Sequence, residues 1–489
     1  MDYIFGLFAK KQQGLFVVFL FYTLTHICFI TLPPKGNHLW RQCNTSAVAR
    51  NFVEEDMNIF HPRVDRRGDT NGITGMQFPS FEYTIALIAK VIGYYDGLNR
   101  LVAFLFFAMG IAYFHRLLAF IYHDYTIAFC GTWAFTFSPI LYYHSVTALP
   151  DVLALSASIA SLYYFFRWDE NKKSLLLFFS LCFAILAGLT KIQYLAIGFP
   201  MVVIVFFRWR QKKYSSWDIF LLISFAFFTL CFSMAWYIYA YKLIKSSGLH
   251  DFGIELRPAK SFLKGLKILG ENIYSHFPEQ LLSFPNLIPL FVVIIWFWKT
   301  KNVLVERMWW IGAWVLGLLA YHLIELRQME VHLYYMFPYL PLVFLLLAKG
   351  YGILLEKNKR LLVLLILISL PIIAFAGTFH HFLNEQKNIP RDFYNPKQRA
   401  AIDACIPDNA LTIVGPDPSG CIYHYFTHTK GWSFTKPHKI SYERISECIE
   451  KGATYLIWPS DLEIPSPVSR HILKKVNYQG TDLCIYLIH

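Results

Sequence analysis

Residues 38–96 read HLWRQCNTSAVARNFVEEDMNIFHPRVDRRGDTNGITGMQFPSFEYTIALIAKVIGYYD, and this stretch decides the fold. It follows one apolar span and precedes a long series of others, yet it is crowded with Arg, Asp, Glu, His and Asn. Charge and unpaired polar backbone are expensive in hydrocarbon, so a segment this polar sits in water or lines a cavity. It reads as half of an active site placed between membrane spans.

The remainder of the chain supplies those spans. Of 489 residues, 56% are hydrophobic, 18% aromatic and only 16% charged, against roughly 25% charged in an average soluble protein. The expected fold class is a polytopic α-helical membrane protein. Apolar runs of about 17 to 25 residues fall at 14–32, 98–121, 126–143, 152–166, 174–190, 192–207, 217–243, 286–298, 308–324, 333–348 and 361–379, which makes about eleven transmembrane helices, some of them short. The first run lacks a small-x-small exit, so it is expected to stay as an anchor.

A net charge of +13 matters here through its placement. The basic residues are spread over short loops and not gathered on one face, which argues against nucleic-acid binding. With a cytoplasmic N-terminus, the inside loops carry Lys10 and Lys11, then Arg167, Lys172 and Lys173, then Arg208, Arg210, Lys212 and Lys213, then Lys299, Lys301 and Arg307, and last Lys349, Lys357, Lys359 and Arg360. That agrees with the positive-inside bias. It puts the 33–97 loop, the 244–285 loop and everything after 380 outside.

From about 381 the apolar runs shorten to strand length while Pro, Asp and Lys become frequent. A domain of residues 1–380 therefore precedes a small C-terminal α/β domain at 381–489. Asn395-Pro396 has the chemistry of a helix start, and Ser441 opens another helix that Gly452 ends. LTIVG (411–415), TYLIW (454–458) and LCIYLI (483–488) read as strands. Cys405, Cys421, Cys448 and Cys484 all lie in this tail, where one or two disulfides and buried free thiols are both open. His424 and His428, spaced i to i+4, leave a divalent metal open as well.

Several candidates for chemistry fall on the outer side. Asp65, Asp69 and Glu82 lie in the first loop, where a carboxylate also serves as a helix cap or as a partner for Arg41, Arg63 or Arg66. Asp151 stands where an apolar helix begins, at the membrane boundary, which suits both a cap and a functional carboxylate. Arg41 and Arg50, Lys191 between two spans, and His332 with Tyr334 and Tyr335 are groups able to bind a phosphate. A snorkelling side chain is the plainer account of Lys191, and an aromatic belt that of the tyrosines.

The order of features resembles the membrane glycosyltransferases of the GT-C class. One span is followed by a large outer loop with an FP segment (Phe78-Pro79), an N-R-L entry to the next span (Asn99 to Leu101), Asp151, a T-K pair (Thr190-Lys191) and HLYYMFPYLP (332–341). The branch it is most similar to holds the protein O-mannosyltransferases and the transferase that adds aminoarabinose to lipid A. The resemblance covers about residues 14–380. It implies a sugar donor built on a polyprenyl phosphate, undecaprenyl phosphate in bacteria, and a lipid, glycan or protein acceptor at the outer face of the bacterial inner membrane, with the C-terminal domain periplasmic. By the same resemblance, Asp151 matches the carboxylate after the third span, Lys191 the lysine of a Leu-x-Lys segment, and His332, Tyr334 and Tyr335 the segment near the donor phosphate. GMQFPSFEY (75–83) replaces a Lys-Pro-Pro segment, with Gln77 or Met76 where a lysine is usual. Arg41 and Gln42 stand where the family carries an acidic pair.

Inverting transfer needs a base for the acceptor proton and positive groups for the departing phosphate. With the acidic pair missing, Asp65 or Asp69 is the expected base, with Glu82 third, and Arg41, Lys191 and His332 are expected on the phosphate. A transporter or flippase for a lipid-linked sugar is the rival reading. Against it, the spans show no internal repeat and no pair of broken helices in matching halves.

Overall fold

The computed structural model describes residues 12–252, 257–300, 305–384, 389–436 and 440–489. The chain divides into two compact units. One comprises Met1–Ile30, Arg100–Ile238 and Ile254–His380, and the other Thr31–Asn99, Tyr239–Gly253 and His381–His489.

The first unit is helical. Across the described residues seven helices are long and apolar enough to cross a membrane: Gln13–Ile30, Asp96–Tyr122, Ile192–Arg210, Ser216–Ser247, Trp309–Met329, Leu333–Glu356 and Arg360–Leu383. An eighth results if Phe262–Leu282 and Phe284–Lys299, bent by 104° at Ser283, count as one span. The remaining expected runs take other forms for local reasons. Residues 126–143 resolve into two short helices, Tyr125–Thr136 and Pro139–His144, because Pro139 has no N–H to continue a helix but fits the first turn of a new one. The run at 152–166 lies inside the helix Asp151–Asn171, whose ends are charged. Ser174–Thr190 is apolar but only 17 residues long.

Close helix packing carries this unit. A Cβ on Gly350 would strike the carbonyl of Pro289, so Leu340–Glu356 and Leu287–Lys299 meet backbone to backbone there. Small residues of this kind let membrane helices gain contact where no hydrophobic force separates helix from lipid. Val305–Met329 loses helical geometry at Glu325 (φ −109°, ψ 16°). The segment after it opens with the 3-10 turn Leu333–Tyr339.

The second unit is built on a five-stranded sheet in the order β2-β1-β3-β5-β4. Its strands are β1 (Leu411–Val414), β2 (Lys430–Ser433), β3 (Ala453–Pro459), β4 (Ile472–Lys475) and β5 (Leu483–Ile488). β1 runs parallel to β2 and β3, whereas β5 is antiparallel to β3 and β4. The three expected strands are present; β2 and β4 are additions, four residues each and partly polar. Asn395 caps Pro396–Cys405 by accepting from the Lys397 amide at 3.0 Å, and Ser441 caps Tyr442–Glu450 by accepting from Arg444. Gly452 at φ 103° ends that second helix.

The polar 38–96 stretch packs against this sheet. Leu39–Glu54 is a helix whose Leu39, Cys43 and Ala47 line up at i, i+4 and i+8. They join a core with Phe393, Val414, Tyr425, Phe426 and Ile457. Its other apolar stripe, Val48 and Phe52, packs with Val64, Met76 and Leu249. The loop beyond it extends the sheet edge: the amides of Arg67 and Gly68 donate to the Gly431 carbonyl at 2.8 and 3.0 Å. Only glycine serves at 431, because a Cβ there would collide with the Thr412 backbone of β1. All nine cysteines are free thiols, with Cys421 and Cys448 buried.

Candidate active site

In the first unit the sequence breaks its helices where polar groups converge. Lys191 leaves the helical path between Ser174–Thr190 and the 3-10 turn Ile192–Ile197, with extended backbone at φ −158°, ψ 119°. Its ammonium lies 2.9 Å from Asp151 Oδ1 and stands over the rings of Tyr334 and Tyr335, 4.9 and 4.8 Å from their centroids. Each such ring is worth about 0.5 to 2 kcal/mol to a desolvated cation. Tyr194, one 3-10 turn beyond Lys191, donates to the same Asp151 oxygen at 3.3 Å. Asp151 is 1% exposed, and its Oδ2 is buried with no hydrogen-bond partner among the described residues. His332 stacks on Tyr334 at 5.5 Å.

A second carboxylate belongs to this cluster. Glu325, at the break in Val305–Met329, lies in Coulombic reach of Lys191 and of Tyr321. Its Oε2 is likewise buried without a partner. Tyr321, one turn earlier, donates its hydroxyl to the Tyr335 carbonyl at 2.8 Å and so steadies the ring beside Lys191. Of the expected site residues, then, Asp151, Lys191, His332, Tyr334 and Tyr335 come together. Tyr194, Tyr321 and Glu325 were missed by sequence reasoning. A carboxylate in an apolar helix ahead of HLYYMFPYLP was the available signal for Glu325.

The remaining candidates lie in the second unit. Gln77 joins two of them: its Oε1 accepts from Arg41 Nη2 at 2.7 Å and its Nε2 donates to Glu82 Oε1 at 3.0 Å. Met76, the alternative at the lysine position, is buried in the apolar cluster around Phe52. Arg41 stands over the Phe252 ring at 4.3 Å, and its Nη1 is buried without a partner. Asp65 is used on both oxygens, accepting from Arg50 Nη2 at 2.7 Å and from Asn51 Nδ2 at 2.9 Å. Arg50 also donates to the Tyr425 carbonyl at 3.1 Å. Burial works against the Arg50 cation, but Asp65 outweighs it and leaves the guanidinium held above its ordinary range.

Asp69 is half exposed and accepts from Trp432 Nε1 at 2.9 Å, beside Lys451 at 2.9 Å. The Trp432 hydrogen bond first, and Lys451 next, hold its carboxyl below the usual range. Glu54 collects His428 and Lys430 at 2.8 and 3.5 Å. Burial raises that carboxyl, yet the His428 hydrogen bond and the Arg50 and Lys430 charges prevail and bring it to about 2.

The histidine pair does not form one face. The helix Ile422–Phe426 has ended before His428, which is left-handed at φ 52° and turns to Glu54, while His424 contacts Thr429 at 3.2 Å. Burial pushes His424 down to about 4. Among the described residues no three His, Cys, Asp or Glu side chains are grouped so that they could hold a metal ion.

Comparisons place this architecture. No family model matches the chain, and no curated protein matches it by sequence. Solved structures do. The chain is similar to ArnT from Cupriavidus metallidurans bound to undecaprenyl phosphate, with a TM-score of 0.63 at 9% identity over 97% of each chain. The apo form of the same protein gives 0.62 at 10% identity, over 96% of this chain and 97% of that one. Archaeal oligosaccharyltransferase AglB from Archaeoglobus fulgidus, in complex with an inhibitory peptide and a dolichol-phosphate, gives 0.51 at 12% identity over 92% of this chain and 70% of that one. Nearly end to end, the backbone thus follows ArnT, and the chain has the same fold.

Proposed function

We propose that this protein is a glycosyltransferase that moves a sugar from a polyprenyl phosphate to an envelope lipid, glycan or protein acceptor on the outer side of the membrane. The observation that carries the reading is the Asp151–Lys191 pair beneath Tyr334 and Tyr335: a buried ammonium with N–H groups to spare, set where apolar helices break. Buried charge at such a place is costly and marks a function. ArnT, whose backbone the chain follows, is known bound to undecaprenyl phosphate, and AglB with a dolichol-phosphate. A phosphate on an isoprenoid chain is the ligand a lysine at a membrane boundary suits.

In this reading the acceptor's oxygen or nitrogen attacks the anomeric carbon as the bond from that carbon to the phosphate oxygen breaks, with inversion. The released phosphate carries the negative charge, and Lys191 stabilises it as it develops. The acceptor proton needs a base. An ion-paired carboxylate is a weak one, so Asp151 positions Lys191, and Glu325, whose Oε2 has no partner among the described residues, takes the proton. Asp65 and Asp69 serve less well, since cationic or hydrogen-bonding partners already hold them. In the second unit, the unshared Arg41 N–H is the group for an anion, with Gln77 and Glu82 orienting it. The finer topology belongs to the same proposal: eleven crossings, a cytoplasmic N-terminus, a bacterial inner membrane and a periplasmic C-terminal domain.

Reconstituted protein given labelled undecaprenyl-phosphate sugar and a crude envelope acceptor fraction tests this. Label appearing in acceptor is the expected outcome. Label that only becomes protected in the vesicle lumen, still on its carrier, would replace the transferase with a flippase.

A further inference from the structure

The helices that carry the Asp151–Lys191 cluster at one end enclose a second cavity at the other. Asp151 opens the helix Asp151–Asn171, and Phe166, Asp169 and Glu170 near its far end line the cavity. The eighteen residue-to-residue rises of helix from Asp151 to Asp169 span about 27 Å, close to the roughly 30 Å of a bilayer's hydrocarbon. The run Ile192–Arg210 repeats the arrangement, with Lys191 before it and Arg208 near its end. The cavity holds about 750 Å³.

Its lining has three parts. Trp296, Trp309 and Trp310 line it together, and tryptophan is enriched at membrane interfaces. Val203, Ile204, Leu345 and Leu346 make an apolar wall. Arg208, Lys213 and Lys349 supply three cations against the two acids Asp169 and Glu170. Asp169 is already taken, by Arg208 at 3.0 Å, Lys172 at 3.2 Å and the Tyr214 hydroxyl at 2.7 Å. Lys349 is different: it sits within the helix Leu340–Glu356, stands 5.0 Å over Trp296, and makes no ion pair among the described residues. An unpaired lysine along an apolar helix is costly unless an anion reaches it.

We propose that this cavity binds the headgroup of an anionic phospholipid, with the phosphodiester at Lys349, Arg208 and Lys213 at the rim, and the glycerol and first acyl carbons along the apolar wall. A basic pocket between spans, lined by tryptophan and walled on one side by Val203, Ile204, Leu345 and Leu346, fits a lipid phosphate better than a soluble one. The site is separate from the transfer chemistry and does not depend on it.

Native mass spectrometry of the full-length protein in detergent, titrated with phosphatidylglycerol or phosphatidylcholine, tests the assignment. Phosphatidylglycerol is expected to be retained preferentially. Lys349→Gln is expected to lower its occupancy about fivefold, Lys349→Arg to preserve it, and Lys90→Gln, at a site elsewhere, to leave it unchanged. Equal retention of the two lipids, or unchanged phosphatidylglycerol binding in folded Lys349→Gln, would overturn the site. Displacement of the lipid by an equal concentration of glycerol phosphate would overturn the lipid assignment in favour of a soluble anion.

Discussion

Two buried cation–carboxylate pairs, one in each unit, have nearly the same geometry and different surroundings. Arg50 meets Asp65 at 2.7 Å and Lys191 meets Asp151 at 2.9 Å, and both acids are 1% exposed. Asp65 is saturated, with Asn51 on its second oxygen, while Arg50 spends another donor on the Tyr425 carbonyl. Asp151 keeps its second oxygen unpartnered, and Lys191 faces two aromatic rings that can yield to a stronger acceptor. Distance and burial alone do not separate a structural pair from a poised one. What separates them is whether both carboxylate oxygens are used: those of Asp65 are, and Asp151 Oδ2 is not.

The contrast can be broken from either side. The largest effect is expected from Asp65→Asn, which leaves buried Arg50 with only the more distant Glu54 carboxylate, at 4.0 Å, and should cost about 3 to 5 kcal/mol of stability, read by denaturant or thermal unfolding. Replacing both partners, Arg50→Met with Asp65→Leu, should recover most of that loss. Next comes Lys191→Met, expected to lower sugar transfer by about 10²- to 10³-fold while the unfolding midpoint stays near wild type; a matching loss of stability would make the two pairs alike after all. Glu325→Gln should slow transfer by about 10²-fold without weakening binding of undecaprenyl phosphate, and Glu325→Asp should recover part of the rate. Loss of lipid binding instead would move Glu325 from proton transfer to donor recognition.

The smallest effect concerns pH. Glu54 is held at about 2 in the fold against an ordinary 4.5, so the folded protein binds this proton less readily than the unfolded chain. Its contribution is therefore complete above about pH 4.5 and is lost as pH falls toward 2. Unfolding midpoints measured across that window should decline in the wild type, and the Glu54→Gln variant should lack this part of the decline.

How much of this was legible follows from range. Runs of apolar residues report burial in lipid directly, so the spans at 98–121, 174–190, 217–243 and 361–379 reappear as helices within a few residues of their expected bounds. Caps are equally local: Asn395 and Ser441 act where their spacing said they would. Bends were harder, because Ser283 at φ 73° and the broken helix at Glu325 depend on what packs around them. The i, i+4 pair His424 and His428 misled for the same reason, since periodicity has meaning only while the helix continues, and this one stops at Phe426.

By itself, then, the sequence determined that this is a membrane protein with a polar loop after its first span and a small α/β tail, because hydropathy and turn chemistry act over a few residues. It also named Asp151, Lys191 and the Tyr334-Tyr335 pair as candidates. Only the tertiary structure decided which charges meet. Asp151 and Lys191 are 40 residues apart, and Arg50 and Tyr425 are 375 apart. Whether a buried carboxylate is spent or available rests on such long-range partners, and no local pattern records them.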